Sequence, residues 1–215
     1  MKINGKICYI FGAGECFHPL PAPEPGDYVI AADGGYRHTK ARGIPSDLVV
    51  GDFDSLGKAP ANENVVALPA EKDETDTEAA IRAGWERGFR IFYIYGGTGG
   101  RIDHTIANIQ CVADIARRGG QAFLFDGEFV ITGLHSGEVL FPADAKGIIS
   151  VFAFGGEAAG VREYGLKYPL ENAVLNPARP LGVSNEFTGK ASGVSVREGT
   201  LIIVYPRGVA ELQGR

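Results

Sequence analysis

A chain of 215 residues has room for one large domain or two small ones, and either would bury a true core. Its 45% hydrophobic and 22% charged residues are an ordinary globular mix, and a net charge of −5 argues against the basic face of a nucleic-acid binder. No apolar run approaches the ~18 residues of a membrane helix, and the N-terminus reads as a strand and turn rather than a leader, so no membrane partner and a cytoplasmic location are expected. Cys8, Cys16 and Cys111 form no CxxC and read as reduced thiols.

The 31 glycines, about twice the usual share, point to many tight turns and close backbone approaches. Strands are predicted at residues 6–11, 28–32, 48–50, 65–68, 90–95 and 121–125, each short, rich in Val, Ile or aromatics and bounded by Gly, Pro or Asp. Between them, Thr75-Asp76-Thr77-Glu78 has capping-box spacing, Ile81 and Trp85 share a face, and Gly88 ends the helix. A second helix is predicted over about residues 104–118, with Ile102, Ile106, Ile109 and Ala113 on one face and Gly119-Gly120 beyond its end. Such alternation implies an α/β domain over residues 1–134 with a mostly parallel sheet.

After Gly133 the period changes. Strands are predicted at 138–141, 148–154 and 173–175, and a hairpin joins 193–197 to 200–205 through Arg197-Glu198-Gly199-Thr200. Residues 135–215 therefore read as an all-β domain without helices, connected by a linker at 132–137. Neither 157–167 nor the tail after Pro206 carries a readable pattern.

The acids fall in a telling place. Asp33 ends VIAAD, Asp52 and Asp54 follow LVV, Asp73 and Asp76 come after VVAL, and Asp103 follows the GGTGGR run. Each group lies past the carboxyl end of a predicted strand, where open α/β sheets bind ligands. Clustered carboxylates need a cation, and hard oxygen ligands favour Mg²⁺. Taken singly, each Asp also suits a cap or turn, Asp73 above all. Asp52 and Asp54 are two apart, and an extended segment would aim both to one side.

Gly12-Ala13-Gly14 fails the dinucleotide fingerprint, since Phe17 stands where its third glycine belongs, and a tight turn explains it. Gly96-Gly97-Thr98-Gly99-Gly100-Arg101 is a stronger phosphate cradle, with Arg101 as a bidentate partner and Lys72 as a second cation. His104 reads as structural, and His18, His38 and His135 stand in no informative context.

In order, DGG (33–35), GDFDS (51–55), KDETD (72–76), GGTGGRIDH (96–104), GLKYPL (165–170) and SNE (184–186) resemble the bacterial thiamine pyrophosphokinase family over nearly the whole chain. The resemblance implies a nucleotide-binding catalytic α/β domain and a thiamine-binding β-sandwich domain. It implies a homodimer with thiamine held at the subunit interface, and transfer of a pyrophosphoryl group from ATP to the hydroxyl of thiamine. Carried over, Asp52, Asp54 and Asp76 resemble the Mg²⁺ site, Asp33 a further acid of that cluster, and Asp103 the acid near the thiamine hydroxyl. Lys72, Asp73, Gly97, Thr98, Gly99, Gly100 and Arg101 would face ATP. Tyr168, where animal relatives carry Trp, would stack on the thiamine ring, with Ser184 and Asn185 closing its pocket. On the residues alone, SNE equally suits a turn. A Mg²⁺-dependent nucleotide pyrophosphohydrolase and a non-catalytic thiamine- or nucleotide-binding module are the rival expectations.

Overall fold

The computed structural model describes residues 5–17, 20, 22–53, 64–69 and 73–213. Asp54 and Lys72 lie outside the described residues. Internal contacts divide the chain into two units. The first runs from Gly5 to Cys111 and takes in Leu124–Gly127; the second comprises Val112–Phe123 and the chain from Glu128. This division differs from a boundary after residue 134, because a strand runs through the position expected for the linker.

The first unit holds strands β1 (Ile7–Phe11), β2 (Tyr28–Ala32), β3 (Leu48–Gly51), β4 (Val65–Ala67) and β5 (Ile91–Tyr95). All pair in parallel in the order β5-β1-β2-β3-β4. The central strand β1 is buried along its whole length, as a parallel strand covered on both faces must be. Helix α1 (Gly35–Ala41) follows β2 without having been signalled by the sequence; its seven residues are too short for an apolar period. Helix α2 (Asp76–Glu86) starts as predicted: Thr75 is the N-cap, and its Oγ1 accepts from the Glu78 amide at 3.1 Å.

The chain lays β2, β3 and β4 on one side of β1 and then crosses to place β5 on the other. The reversal between β1 and β5 is the sheet's switch point, and it opens a crevice beyond their carboxyl ends. Helix α3 (Ile102–Arg117) leaves the end of β5, and its buried residues include Asn108, Val112, Ala113, Ile115 and Ala116. The apolar face of Ile102, Ile106, Ile109 and Ala113 is only partly buried, since Ile102 is 74% and Ile106 53% exposed. Strand β6 (Gln121–Phe125) follows.

In the second unit β7 (Phe129–Phe141) is one unbroken strand of 13 residues that includes the expected linker. Then come β8 (Ile148–Ala153), β9 (Ala158–Tyr164), β10 (Leu170–Leu175), β11 (Gly182–Glu186) and β12 (Ser192–Pro206). The predicted hairpin does not form. Both halves of β12 pair antiparallel with β7, and the register shifts between Val196 and Thr200. Gly199, at φ 102, serves this irregularity instead of a reversal. The first half of β12 also pairs with β9, and the second half with β8. One bent strand thus feeds two ladders, β9 with β10 on one and β8 with β11 on the other. A short helix, α4 (Arg207–Gln213), occupies the tail, where no helix was expected.

Candidate active site

The site is built first from backbone. Two glycine loops leave neighbouring parallel strands, β1 and β5, and zip together. The amides of Gly12, Gly14 and Glu15 donate to the carbonyls of Tyr95, Gly96 and Thr98 at 2.7, 2.8 and 3.0 Å. A side chain at Gly14 would collide with the Gly96 and Thr98 carbonyls, so GAG is needed for this approach and not only for a turn. Asn108, buried on α3, donates to the Gly97 carbonyl at 2.8 Å and ties the second loop to the helix. The first loop is held from α1, where His38 Nε2 lies 2.8 Å from the Gly14 carbonyl oxygen. Sequence reasoning missed both of these residues, since nothing local links them to loops 11 and 24 positions away.

The carbonyls of Gly96, Gly97 and Thr98 are thereby engaged and Thr98 bridges to Glu15, while the amides of Gly97, Gly99 and Gly100 donate to no backbone carbonyl of the described residues. Donors of this kind in a glycine loop suit phosphate oxygens.

Asp33 follows β2 at the same rim with φ 45, a left-handed conformation that Asp tolerates better than most residues. Its amide donates to Val50 at 2.7 Å, which sets it beside the end of β3. Its Oδ1 is buried with no hydrogen-bond partner among the described residues. An orphaned, buried carboxylate oxygen has the chemistry to meet a cation, although among the described residues no three acids gather closely enough to hold one. Next to it, Gly35 opens α1, and any side chain there would strike the Phe11 carbonyl. The second glycine of DGG is therefore dictated by packing.

Asp52 directly follows β3, and Phe53 buries its ring against Ala31 and Val49. Phe53 has φ 62, so the backbone is not extended at this point. The extended alternation expected across Asp52 and Asp54 is thus interrupted at Phe53, and Asp54 itself lies outside the described residues. Asp76 opens α2, with the Thr77 hydroxyl 3.7 Å from the place a Cβ on Gly12 would take. Asp73 is exposed just ahead of that helix.

Arg101 and Asp103 are brought together. The guanidinium meets the carboxylate at 2.5 and 3.2 Å, and Asp103 Oδ1 also accepts from the His104 amide at 3.0 Å. Hydrogen bonding to Arg101 and to that amide in the first turn of α3 lowers the Asp103 pKa to about 2. Such a carboxylate orients and neutralises but is a poor proton acceptor.

The second unit carries Tyr168 in the turn between β9 and β10, 58% exposed. Ser184 and Asn185 lie on β11, a strand and not a turn. Asn185 is buried and accepts from the Tyr168 amide at 2.9 Å while donating to the Tyr168 carbonyl at 2.7 Å. Ser184 is exposed at φ 60, and its amide donates to Ser150 Oγ at 3.1 Å. Asn185 is thus a clamp on Tyr168 rather than a free pocket wall.

A parallel sheet with glycine loops at its switch point and carboxylates past its neighbouring strands is the frame of a nucleotide-dependent enzyme domain, joined here to a β unit bearing an exposed aromatic ring. The profile of the thiamin pyrophosphokinase catalytic domain matches residues 24–124, and that of the thiamin pyrophosphokinase vitamin B1 binding domain matches residues 138–201. The chain is 32% identical over 161 residues to thiamine pyrophosphokinase of Bacillus subtilis, covering 72% of this chain and 75% of that protein. Its fold is similar to the crystal structure of the B. subtilis enzyme, with TM-score 0.82, 28% identity and 94% and 99% of the two chains covered. It is also similar to that of thiamin pyrophosphokinase from Geobacillus thermodenitrificans, with TM-score 0.78, 26% identity and 93% and 97% coverage. The chain belongs to the thiamin pyrophosphokinase family.

Proposed function

We propose that this chain carries out the reaction of its family, moving the pyrophosphoryl group of ATP to the hydroxyl of thiamine to give thiamine diphosphate and AMP. The hydroxyl oxygen bonds to the β-phosphorus, the bond from that phosphorus to the bridging oxygen of AMP breaks, and the hydroxyl proton leaves to solvent. Transfers of this kind have loose transition states, so positioning and charge neutralisation supply most of the catalysis. The observation that carries the reading is the buried, unpartnered Asp33 Oδ1 just past the carboxyl end of β2, in the same parallel sheet whose strands β1 and β5 end in the two glycine loops.

Gly97, Thr98, Gly99 and Gly100 of the glycine loop, with Arg101 and Lys72, hold the ATP phosphates, and Asp73 faces ATP beside them. Asp52, Asp54 and Asp76, with Asp33 beside them, would hold Mg²⁺, which when bound offsets the charge of the pyrophosphoryl group. Asp103, kept ionised and tied to Arg101, orients the thiamine hydroxyl. Tyr168 offers its ring to the thiazolium cation, with Ser184 beside it. The chain acts as a cytoplasmic homodimer, with the acid rim of one subunit facing Tyr168 of the other. Exposure of Ile102, Ile106 and Tyr168 supports a further protein surface over these groups. In the described residues no helix is long and apolar enough to cross a membrane.

Mass spectrometry after incubation with ATP, Mg²⁺ and thiamine tests the reading. Thiamine diphosphate with AMP is expected. AMP with unchanged thiamine would replace the transferase by a pyrophosphohydrolase, and binding of thiamine without turnover would leave only a binding module.

A further inference from the structure

Glu163 on β9 is fully buried, and it forms no ion pair among the described residues. Burying a charged carboxylate without a cation is far costlier than burying a neutral one, so a buried acid calls for a reason in what it holds. Burial pushes its pKa up, which favours the neutral acid. One oxygen, Oε2, accepts from Asn185 Nδ2 at 2.7 Å. The other, Oε1, has no hydrogen-bond partner among the described residues and lies 3.2 Å from the place a Cβ on Gly182 would take. β11 therefore passes close over the carboxyl, while glycine at 182 is required chiefly by the Val151 carbonyl, 2.5 Å from the same place.

Asn185 reads as the middle of a chain of contacts. A side-chain amide has two donors and two acceptor lone pairs, and all four are engaged. Nδ2 donates to Glu163 Oε2 and to the Tyr168 carbonyl, both at 2.7 Å. Oδ1 accepts from the amides of Tyr168 and Glu186, both at 2.9 Å. Asn185 therefore has nothing left to offer a ligand, but it grips both backbone groups of Tyr168, as a neighbouring strand would. Glu163 takes the one amide hydrogen left over from that grip and anchors the clamp in the core.

Resting on the reading of Tyr168 as the ring that faces thiamine, we propose that Glu163 is a positioning residue for that substrate, holding Tyr168 through Asn185 and touching no substrate itself. Steady-state kinetics on three variants test this. Glu163→Gln keeps an acceptor in place without charge, and its constants are expected within about twofold of wild type. Glu163→Asp retracts the acceptor by one carbon–carbon bond, about 1.5 Å. It is expected to raise the KM for thiamine about tenfold, with kcat and the KM for ATP nearly unchanged, as loss of one buried hydrogen bond implies. Equal rises in both KM values, or an unmoved thiamine KM, would overturn the proposal. If Glu163→Asp fails to fold, Asn185→Ser takes its place and must show the same selective rise, an equal or absent effect again overturning it. Wild-type protein run alongside separates the two readings. No thiamine turnover there strikes the proposed function and this inference together, whereas turnover with the wrong split strikes Glu163 alone.

Discussion

Asp33 combines a left-handed backbone with a buried, unpartnered oxygen, a costly pair of features to keep for structure alone. Asn tolerates the same backbone and fills the same volume, so Asp33→Asn isolates the charge. It is expected to lower kcat by about 100-fold or more with little change in melting temperature, the scale of losing one electrostatic group of a phosphoryl-transfer site. A near-normal kcat would remove Asp33 from the reaction. Asp103 makes a second test. Its folded pKa is depressed, so the pair with Arg101 is intact above the ordinary carboxylate range and is lost as pH falls through about 2. Both side chains are largely exposed, so the contribution to stability is small and screened by salt. Arg101→Gln is expected to return the Asp103 titration, followed by carboxyl NMR, toward about 4. A midpoint that stays near 2 would show that the His104 amide and α3 control it instead.

Among the elements, β12 and the glycine loops invite substitution. Gly199 holds φ 102, and a Cβ there would lie 2.6 Å from the Glu157 carbonyl oxygen. Gly199→Val should cost about 2 kcal/mol or more in chemical denaturation, because strain and overlap add at one residue. A loss no greater than that of a surface substitution would mean that the bulge relaxes freely. The tie from Asn108 to the Gly97 carbonyl belongs to α3 and the second loop together. Asn108→Ala leaves that carbonyl without its partner, and the KM for ATP should rise several-fold with the KM for thiamine unchanged. Equal changes would indicate that the helix, and not the loop, had moved.

For the whole molecule, the open question is whether one chain makes one site. The proposal that the acid rim of one subunit faces Tyr168 of the other predicts complementation. Asp33→Asn and Tyr168→Ala chains, each nearly inactive, are expected to regain about a quarter of wild-type activity when mixed in equal amounts and allowed to exchange. Half of the dimers are then mixed, and in each of these one of two symmetric sites is intact. Mixtures no more active than their components would put both residues in a single chain's site or deny the dimer.

Much of this was legible in the sequence because it is local. Strand–turn–helix periodicity located β1 to β6, α2 and most of α3, and it placed Asp33 and Asp52 just past β2 and β3. The family was legible too, through motifs whose residues are neighbours in the chain. Partnership between distant residues was not. A glycine at positive φ serves a bulge as well as a hairpin, so only the register of β12 against β7 decided for the bulge. Ile102 and Ile106 keep a helical period whether they face a core or the outside, and only packing showed which. Glu163, Asn108 and His38 act across 22, 11 and 24 residues, and no local pattern predicts a hydrogen bond at that range. The chemical groups were thus determined by sequence alone, whereas which group grips which was decided by tertiary structure, since a contact's energy depends on distances that local propensity does not encode.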